Sequence, residues 1–188
     1  GYDMVSDSRY ANDGGGRDDS AADPGDWISA AEHASGTFAG CPPDDSSWHG
    51  TQMSGIVGAA TNNGIGMAGI APGARVLPVR GLGKCGGFDS DITAGMLWAA
   101  GIDQPGLPGS PTPARVLNLS LGGDGACSSV YREAVDQVVA KGAVVVAAAG
   151  NTVGRAVGTP ANCPGVLAVA GLRHAGTKVG FSDLGPEI

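Results

Sequence analysis

The chain has 188 residues and a formal charge of −7, and 42% of its residues are hydrophobic while only 5% are aromatic. This length predicts one domain that buries about two thirds of its unfolded surface, and the apolar content excludes a disordered chain. No cluster of Lys and Arg provides a surface for nucleic acid, and no apolar run reaches the roughly 20 residues that span a membrane. We therefore expect a globular domain with neither nucleic acid nor a membrane as its partner.

An acidic loop opens the chain. Residues 1–5 predict the end of a strand, and residues 6–26 predict a polar loop with aspartates at positions 7, 13, 18, 19, 23 and 26. Clustered Asp with Gly between them is typical of a loop that gathers oxygen ligands around Ca²⁺, since Gly permits sharp turns around the ion. A solvated acidic loop has the same composition, so both interpretations stay open.

A histidine begins the next predicted helix. Residues 27–48 show no sustained apolar period and predict a loop. Small residues after His49 predict a helix to about Thr61, ended by Asn62-Asn63-Gly64, which tolerate left-handed geometry. Because small residues let a helix lie close to a neighbouring backbone, we expect this helix in the interior. Taken alone, its histidine is most simply a structural residue.

Strands and helices alternate along the rest of the chain. Strands are predicted at residues 74–80, 115–120, 143–149, 166–170 and 178–184, and helices from residue 89 or 90 to about 100 and from 130 to about 140. This alternation predicts a parallel sheet with right-handed crossovers, hence an α/β domain. The apolar runs 143–149 and 166–170 are typical of strands covered on both faces.

Four cysteines, Cys41, Cys85, Cys127 and Cys163, lie in predicted loops and lack the C-x-x-C spacing of a zinc site. We therefore expect two disulfides and an oxidising, secreted setting. The residues alone permit three connectivities.

Three segments contain motifs whose order along the chain is informative. His49-Gly50-Thr51 is followed by Met53-Ser54-Gly55, residues 114–123 are ARVLNLSLGG, and residues 144–151 are VVVAAAGN. In this order they resemble the histidine motif, the substrate-binding strand and the oxyanion segment of the subtilisin-like serine proteases, the subtilase family. The resemblance covers nearly the whole chain and indicates the secreted bacterial type with two disulfides.

The resemblance implies a fold and a domain organisation. The fold would be a three-layer αβα arrangement around a mainly parallel twisted sheet. Residues 1–188 would be a fragment of a single peptidase domain, incomplete at both ends. Within it, residues 1–26 would form the acidic calcium-type loop, residues 48–61 the helix with the histidine, and residues 74–188 the parallel-sheet core.

The resemblance also implies roles for two polar residues. His49 would be the general base that takes the proton of a serine and gives it to the leaving amine. Asn151 would donate a hydrogen bond to the developing oxyanion, whereas the alternative is a turn asparagine that ends the strand. The family orders its triad Asp, His, Ser along the chain. No Asp-Thr-Gly or Asp-Ser-Gly motif occurs here, and no Gly-Thr-Ser follows Asn151.

Two glycine-containing edges would bind an extended substrate by adding its backbone as a strand between them. The residues implied are Cys85, Gly86 and Gly87 on one edge and Ser120, Leu121, Gly122 and Gly123 on the other. The first specificity pocket would be lined by Ala147, Ala148, Ala149 and Gly150. It would accept large apolar or varied side chains, because these segments contain no carboxylate.

Calcium sites and a disulfide pairing follow from the same resemblance. One structural Ca²⁺ would bind in the acidic loop, with ligands from Asp13, Asp18, Asp23, Asp26 and the carbonyl of Arg17. A second would bind after the helix, with Asn63 and the carbonyls of Thr61, Ile65 and Met67 as ligands. The disulfides would join Cys41 to Cys85 and Cys127 to Cys163.

The leading hypothesis is a secreted, extracellular serine endopeptidase that hydrolyses extended protein or peptide substrates. Because the triad Asp and Ser are absent, the chain alone is expected to be inactive. Its other partners would be the remainder of its peptidase domain or a propeptide. Two alternatives stay open: a relative that binds peptides without turnover, and a calcium-binding structural domain.

Overall fold

Parallel strands occur in both parts of the chain. The computed structural model describes residues 1–188, which divide into a first unit, Gly1–Gly95, and a second unit, Met96–Ile188. Each unit contains its own sheet, and every strand pair in both sheets is parallel. Helices separate most of the strands along the chain, so the predicted α/β class is confirmed.

The first unit contains a two-stranded sheet and several short helices. Its elements are β1 (Tyr2–Asp3), α1 (Ser8–Ala11), α2 (Ala30–Ala34), a 3₁₀ turn (Gly36–Phe38), α3 (His49–Gly58), β2 (Val79–Arg80) and the start of α4 (Asp89–Ala99). β1 pairs with β2 so that Tyr2 lies opposite Val79 and Asp3 opposite Arg80.

A buried ion pair joins β1 to β2. The Arg80 guanidinium donates hydrogen bonds to the Asp3 carboxylate and to the carbonyl oxygen of Ala11. Burial raises the pKa of the Asp3 carboxyl, although the amide of Val5 and the guanidinium of Arg80 donate to it. Since a buried charge without a partner is strongly destabilising, this pair fixes the strand register.

The prediction that residues 27–48 form a loop is wrong at two places, where α2 and the 3₁₀ turn form. The Ser29 side chain accepts from the amide of Glu32, and the Glu32 carboxylate accepts from the amide of Ser29. This reciprocal cap stabilises a helix too short to show an apolar period. The Lys84 amine, 2.6 Å from Glu32, and the disulfide between Cys41 and Cys85 fasten the segment.

The second unit contains a three-stranded parallel sheet in the order β3-β4-β5. Its elements are the end of α4, β3 (Val116–Leu119), α5 (Ser129–Ala140), β4 (Val144–Ala148) and β5 (Val166–Val169). α5 is amphipathic, since Tyr131, Ala134, Val135 and Val138 recur at helical spacing and are buried. Its cap is Ser128, whose hydroxyl accepts from the amide of Tyr131.

No helix of either unit is long and apolar enough to cross a membrane.

Several strands are shorter or more exposed than the sequence predicts. β2 comprises only Val79 and Arg80, which pair with Tyr2 and Asp3, whereas the predicted strand begins at residue 74. Residues 178–184 form turns, with Lys178 in an isolated bridge to Leu172. β5 is an edge strand, and Leu167 and Val169 are more than half exposed. In β4, Val144 is 42% exposed and Ala148 is also exposed, so the prediction that β4 and β5 are covered on both faces is wrong for both strands.

The helix α3 also differs from its prediction. It ends at Gly58 rather than near Thr61, and none of its residues is buried. A side chain at Gly50 or Gly55 would meet no atom within 4 Å, so no residue of the chain covers α3 at these two positions. Only its last turn is covered, by backbone hydrogen bonds from Ile70 to Ile56 and from Ala71 to Val57.

Candidate active site

His49 is the first residue of α3 and is exposed to solvent. The turn before it is fixed by Ser47, whose amide and hydroxyl each donate to Asp26 at 2.7 Å. The hydroxyl of Ser47 in turn accepts from the amide of His49 at 3.4 Å. These bonds hold the backbone at the start of the helix and leave both ring nitrogens of His49 accessible.

Asn151 follows β4 on a short loop, residues 150–155. Gly150 ends the strand with a φ of +116°, a left-handed conformation that favours glycine. Three backbone hydrogen bonds of 3.0 Å fasten the loop, from Asp183 to Gly150, from Val153 to Phe181 and from Leu184 to Arg155. The Asn151 side chain is exposed and makes no hydrogen bond within the chain. Its amide is therefore available to a ligand.

The predicted substrate strand lies at the carboxyl end of β3. Gly123 and Thr159 exchange two backbone hydrogen bonds of 2.9 Å. A side chain at Gly122 would press on the carbonyl oxygen of Thr159, so this position requires a small residue. Leu119 pairs with Ala147 in the sheet. The end of β3, the end of β4 and the segment around Thr159 therefore lie together within the second unit.

The predicted pocket wall divides between the two faces of β4. Ala147 and Ala149 are each 1% exposed, whereas Ala148 is open to solvent. Since successive residues of a strand point to opposite faces, the side chains of Ala147 and Ala149 belong to the core. Ala148 and Gly150 are the members of the predicted wall that a ligand of this unit can reach.

The disulfide between Cys127 and Cys163 has the predicted pairing. Next to it, the side-chain amide of Asn162 donates to the carbonyl oxygens of Gly125 and Val157 at 2.9 and 3.0 Å. These bonds fasten the loop after Gly123 to the loop around Thr159.

The other predicted substrate edge lies in the first unit, after the short bridge between Gly83 and Gly86. Cys85 and Gly86 have positive φ values of 63° and 110°, which form a tight turn. A side chain at Gly87 would overlap the carbonyl oxygen of Gly81. The disulfide to Cys41 anchors the turn.

Comparison with known proteins identifies the family. Residues 20–188 match the model of the subtilase family. The chain belongs to the subtilase family. It is 49% identical over 189 residues to the extracellular protease of Xanthomonas campestris pv. campestris, covering 100% of this chain and 32% of that protein. The extracellular basic protease of Dichelobacter nodosus is 44% identical over 195 residues, covering 100% of this chain and 31% of that protein.

A solved structure of this kind is equally similar. It is described as proteases from Pseudoalteromonas arctica, and it matches 100% of this chain and 54% of its own with a TM-score of 0.93 and 47% identity. This subtilase chain spans about a third of the length of the two curated relatives above. The predicted subtilase fold and both predicted disulfide pairings are confirmed.

The carboxylates predicted to bind calcium in this subtilase are bonded to other groups of the chain. Asp13 and Asp23 face Arg80 at 3.5 and 3.9 Å, Asp18 accepts from the amide of Ser20, and Asp26 accepts from Ser47. No group of three or more Asp, Glu, His or Cys side chains is arranged to hold a metal ion. The acidic loop in this arrangement therefore does not fit a calcium ion.

The loop after α3 fits a calcium ion better. Residues 60–68 line a pocket of about 160 Å³, and Asn62, Gly64 and Gly66 adopt left-handed conformations that curl the backbone around it. The oxygen donors that these residues would offer are their backbone carbonyls and the side-chain oxygen of Asn63, which accepts from the amide of Ile65 at 3.0 Å. Such hard oxygen donors are the ligands that Ca²⁺ prefers.

Sequence reasoning gave no role to Asp183, which the structure places beneath the Asn151 loop. The sequence shows it only as an acidic residue in the Phe181-Ser182-Asp183 turn near the end of the chain. A carboxylate there, in a segment of otherwise apolar and small residues, was the available signal.

Proposed function

We propose that this chain supplies the general base and the oxyanion donor of a secreted subtilisin-like serine endopeptidase. The observation that supports the proposal most is Asn151: its free, exposed amide follows β4 on a loop fastened by three backbone hydrogen bonds. A rigid donor with no internal partner is what stabilisation of an oxyanion requires. Family membership and the two disulfides support the protease and its secretion.

Each residue then has one task. His49 takes the proton from a serine hydroxyl as that oxygen attacks the scissile carbonyl, and gives it to the leaving amine. Asn151 donates a hydrogen bond to the oxyanion of the tetrahedral intermediate. Residues 120–122 pair with the extended substrate backbone, whereas Gly123, also predicted there, already exchanges both of its backbone hydrogen bonds with Thr159. The triad Asp and Ser come from outside this chain, so residues 1–188 alone bind substrate without turnover.

The substrates are proteins and peptides in an extended conformation. Ala148 and Gly150 leave room for large apolar or varied side chains in the first pocket, and the nearby Asp183 carboxylate is buried and already accepts hydrogen bonds from the loop, so it is not free to select a basic one. The chain's other partners would be a propeptide, which would pair with the same substrate-binding strand, or the remainder of the peptidase domain.

Hydrolysis of a chromogenic peptide anilide and labelling with a serine-directed phosphonate test the function. The protein expressed from the complete gene should hydrolyse the anilide and take up the phosphonate, whereas residues 1–188 alone should do neither. Peptide binding without turnover by the complete protein would instead support a non-enzymatic peptide-binding relative.

We further propose that calcium stabilises the protein, with the loop of residues 61–67 as its principal site. The melting temperature should rise when EDTA is replaced by calcium, and the Asn63→Ala variant should lose most of this increase. An Asp19→Asn variant, at an exposed aspartate outside both ligand sets, is the control and should retain the increase. An unchanged melting temperature in the unmodified protein would contradict a structural calcium.

A further inference from the structure

Asp183 is a buried carboxylate surrounded by hydrogen-bond donors from the Asn151 loop. Asp183 is only 2% exposed to solvent. Oδ1 accepts from the amides of Thr152, Gly154 and Arg155 at 3.1, 3.1 and 3.0 Å. Oδ2 accepts from the amide and the hydroxyl of Thr152 at 3.0 and 2.8 Å. The loop backbone therefore wraps around this one side chain.

The surroundings keep the carboxylate charged. Burial alone raises the pKa of Asp183, but the hydrogen bonds from Thr152, Arg155 and Gly154 outweigh it and the pKa lies below its ordinary value. Hydrogen bonds to an ionised acceptor are stronger than neutral ones. At neutral pH the loop is thus held by charge-assisted bonds rather than by ordinary turn contacts.

The two residues next to Asn151 are both held by Asp183. The amide of Asp183 donates to the carbonyl oxygen of Gly150 at 3.0 Å, and its carboxylate accepts from Thr152 on the other side. A side chain at Gly150 would overlap the carboxylate, so the fit is close there as well. Asn151 makes no hydrogen bond of its own within the chain. Its orientation therefore depends on its neighbours.

We propose that Asp183 is a positioning residue for the oxyanion hole, fixing the backbone on both sides of Asn151 so that its amide points at the reacting carbonyl oxygen. This inference rests on the proposed protease function. It also limits the donors that the loop offers. The amides of Thr152, Gly154 and Arg155 are occupied by Asp183, so these three backbone groups are not available to the oxyanion.

The Asp183→Asn variant tests the proposal in the protein expressed from the complete gene. Asparagine keeps the volume but turns one oxygen into an NH₂ group that faces N–H or O–H donors. We expect kcat on a peptide anilide to fall about 10- to 100-fold, because small misplacements of a catalytic group have effects of that size. KM should stay within about twofold, since the strand that binds substrate is not altered.

A double-mutant cycle separates positioning from a general structural role. In an Asn151→Ala background the donor is already absent, so adding Asp183→Asn should lower kcat by less than about threefold. Asp91→Asn is the matched control, because Asp91 is also buried and accepts hydrogen bonds from Ser6 and Arg17 in the first unit. It should lower the melting temperature and leave kcat unchanged.

If Asp183→Asn does not fold, Thr152→Val replaces it, since this change removes only the hydroxyl donor to Oδ2. It should lower kcat severalfold, and the loss should again disappear in the Asn151→Ala background. The positioning role is overturned if the losses multiply in the double variant, or if Asp183→Asn is as fast as the unmodified protein or faster. Absence of turnover in the unmodified protein would instead refute the proposed function itself.

Discussion

The backbone at His49 and the backbone at Asn151 are each held by an aspartate, but the two aspartates differ. Asp26 is partly exposed and accepts from a single residue, Ser47, which in turn holds the start of α3. Asp183 is buried and accepts from three residues of the loop that contains Asn151. The first arrangement fixes where a helix begins, whereas the second fixes a whole loop.

This difference indicates what each unit provides by itself. α3 buries none of its residues, so the surroundings of His49 are incomplete within the first unit. The Asn151 loop has its anchor, its strand and its disulfide-fastened neighbour all within the second unit. The geometry proposed for the oxyanion donor is therefore complete in this chain, while that proposed for the base is not.

Replacement of His49 should have the largest effect on activity. His49→Ala should lower kcat by about 10⁶-fold, the loss known for the catalytic histidine of a subtilisin. In the protein expressed from the complete gene the variant should still fold, because the His49 ring makes no hydrogen bond to any residue of this chain. Anilide hydrolysis and calorimetry on the same preparation measure both. A residual kcat within about tenfold of the unmodified protein would remove His49 as the base.

A side chain at Gly150 should have the next largest effect, because it disturbs the Asp183 anchor. Gly150→Ala places Cβ against the carboxylate and forces a φ of +116° on alanine. We expect kcat to fall about 100-fold together with the melting temperature. Gly180→Ala is the matched control, since a Cβ there meets nothing within 4 Å, and it should leave both unchanged. Equal behaviour of the two variants would show that the close fit at Gly150 does not matter.

A smaller effect is expected in the first unit, where it concerns stability and depends on pH. Hydrogen bonds from Lys84 and Ser29 lower the pKa of Glu32 from its ordinary 4.5 to about 2. Because the pKa is lower in the folded state, this contact stabilises the fold fully above pH 4.5 and loses its effect as the pH falls toward 2. Glu32→Gln should therefore lower the melting temperature at pH 7, and the difference from the unmodified protein should shrink progressively below pH 4.5.

The exposed Glu133 of α5 provides the control for that experiment. Glu133→Gln should match the unmodified protein at every pH. A difference for Glu32→Gln that stays constant down to pH 2 would mean that the lost stability does not come from the ionised pair.

Regular patterns made most of the fold predictable. The alternation of apolar runs with helical segments, the apolar run of β4 and the family motifs led to the correct class, to most of the elements and to both disulfide pairings. α2 was missed because a reciprocal cap between Ser29 and Glu32, rather than an apolar period, stabilises it.

Of the candidate site, the sequence indicated His49 and Asn151 but not the residues that hold them. Asp26 was assigned to calcium, although in the structure both of its carboxylate oxygens accept from Ser47. Asp183 lies 32 positions after Asn151, and only folding brings its carboxylate against the amides of residues 152, 154 and 155. Motifs record residue types along the chain, whereas these contacts depend on tertiary proximity.

The most direct test of the account is the turnover number of Asn151→Ala in the protein expressed from the complete gene. We predict that kcat falls about 10²- to 10³-fold, the range known for loss of an oxyanion-hole donor in a subtilisin. KM and the melting temperature should remain unchanged, since the Asn151 side chain is exposed and has no partner within the chain. A kcat equal to that of the unmodified protein would contradict the assignment of Asn151 as the oxyanion donor.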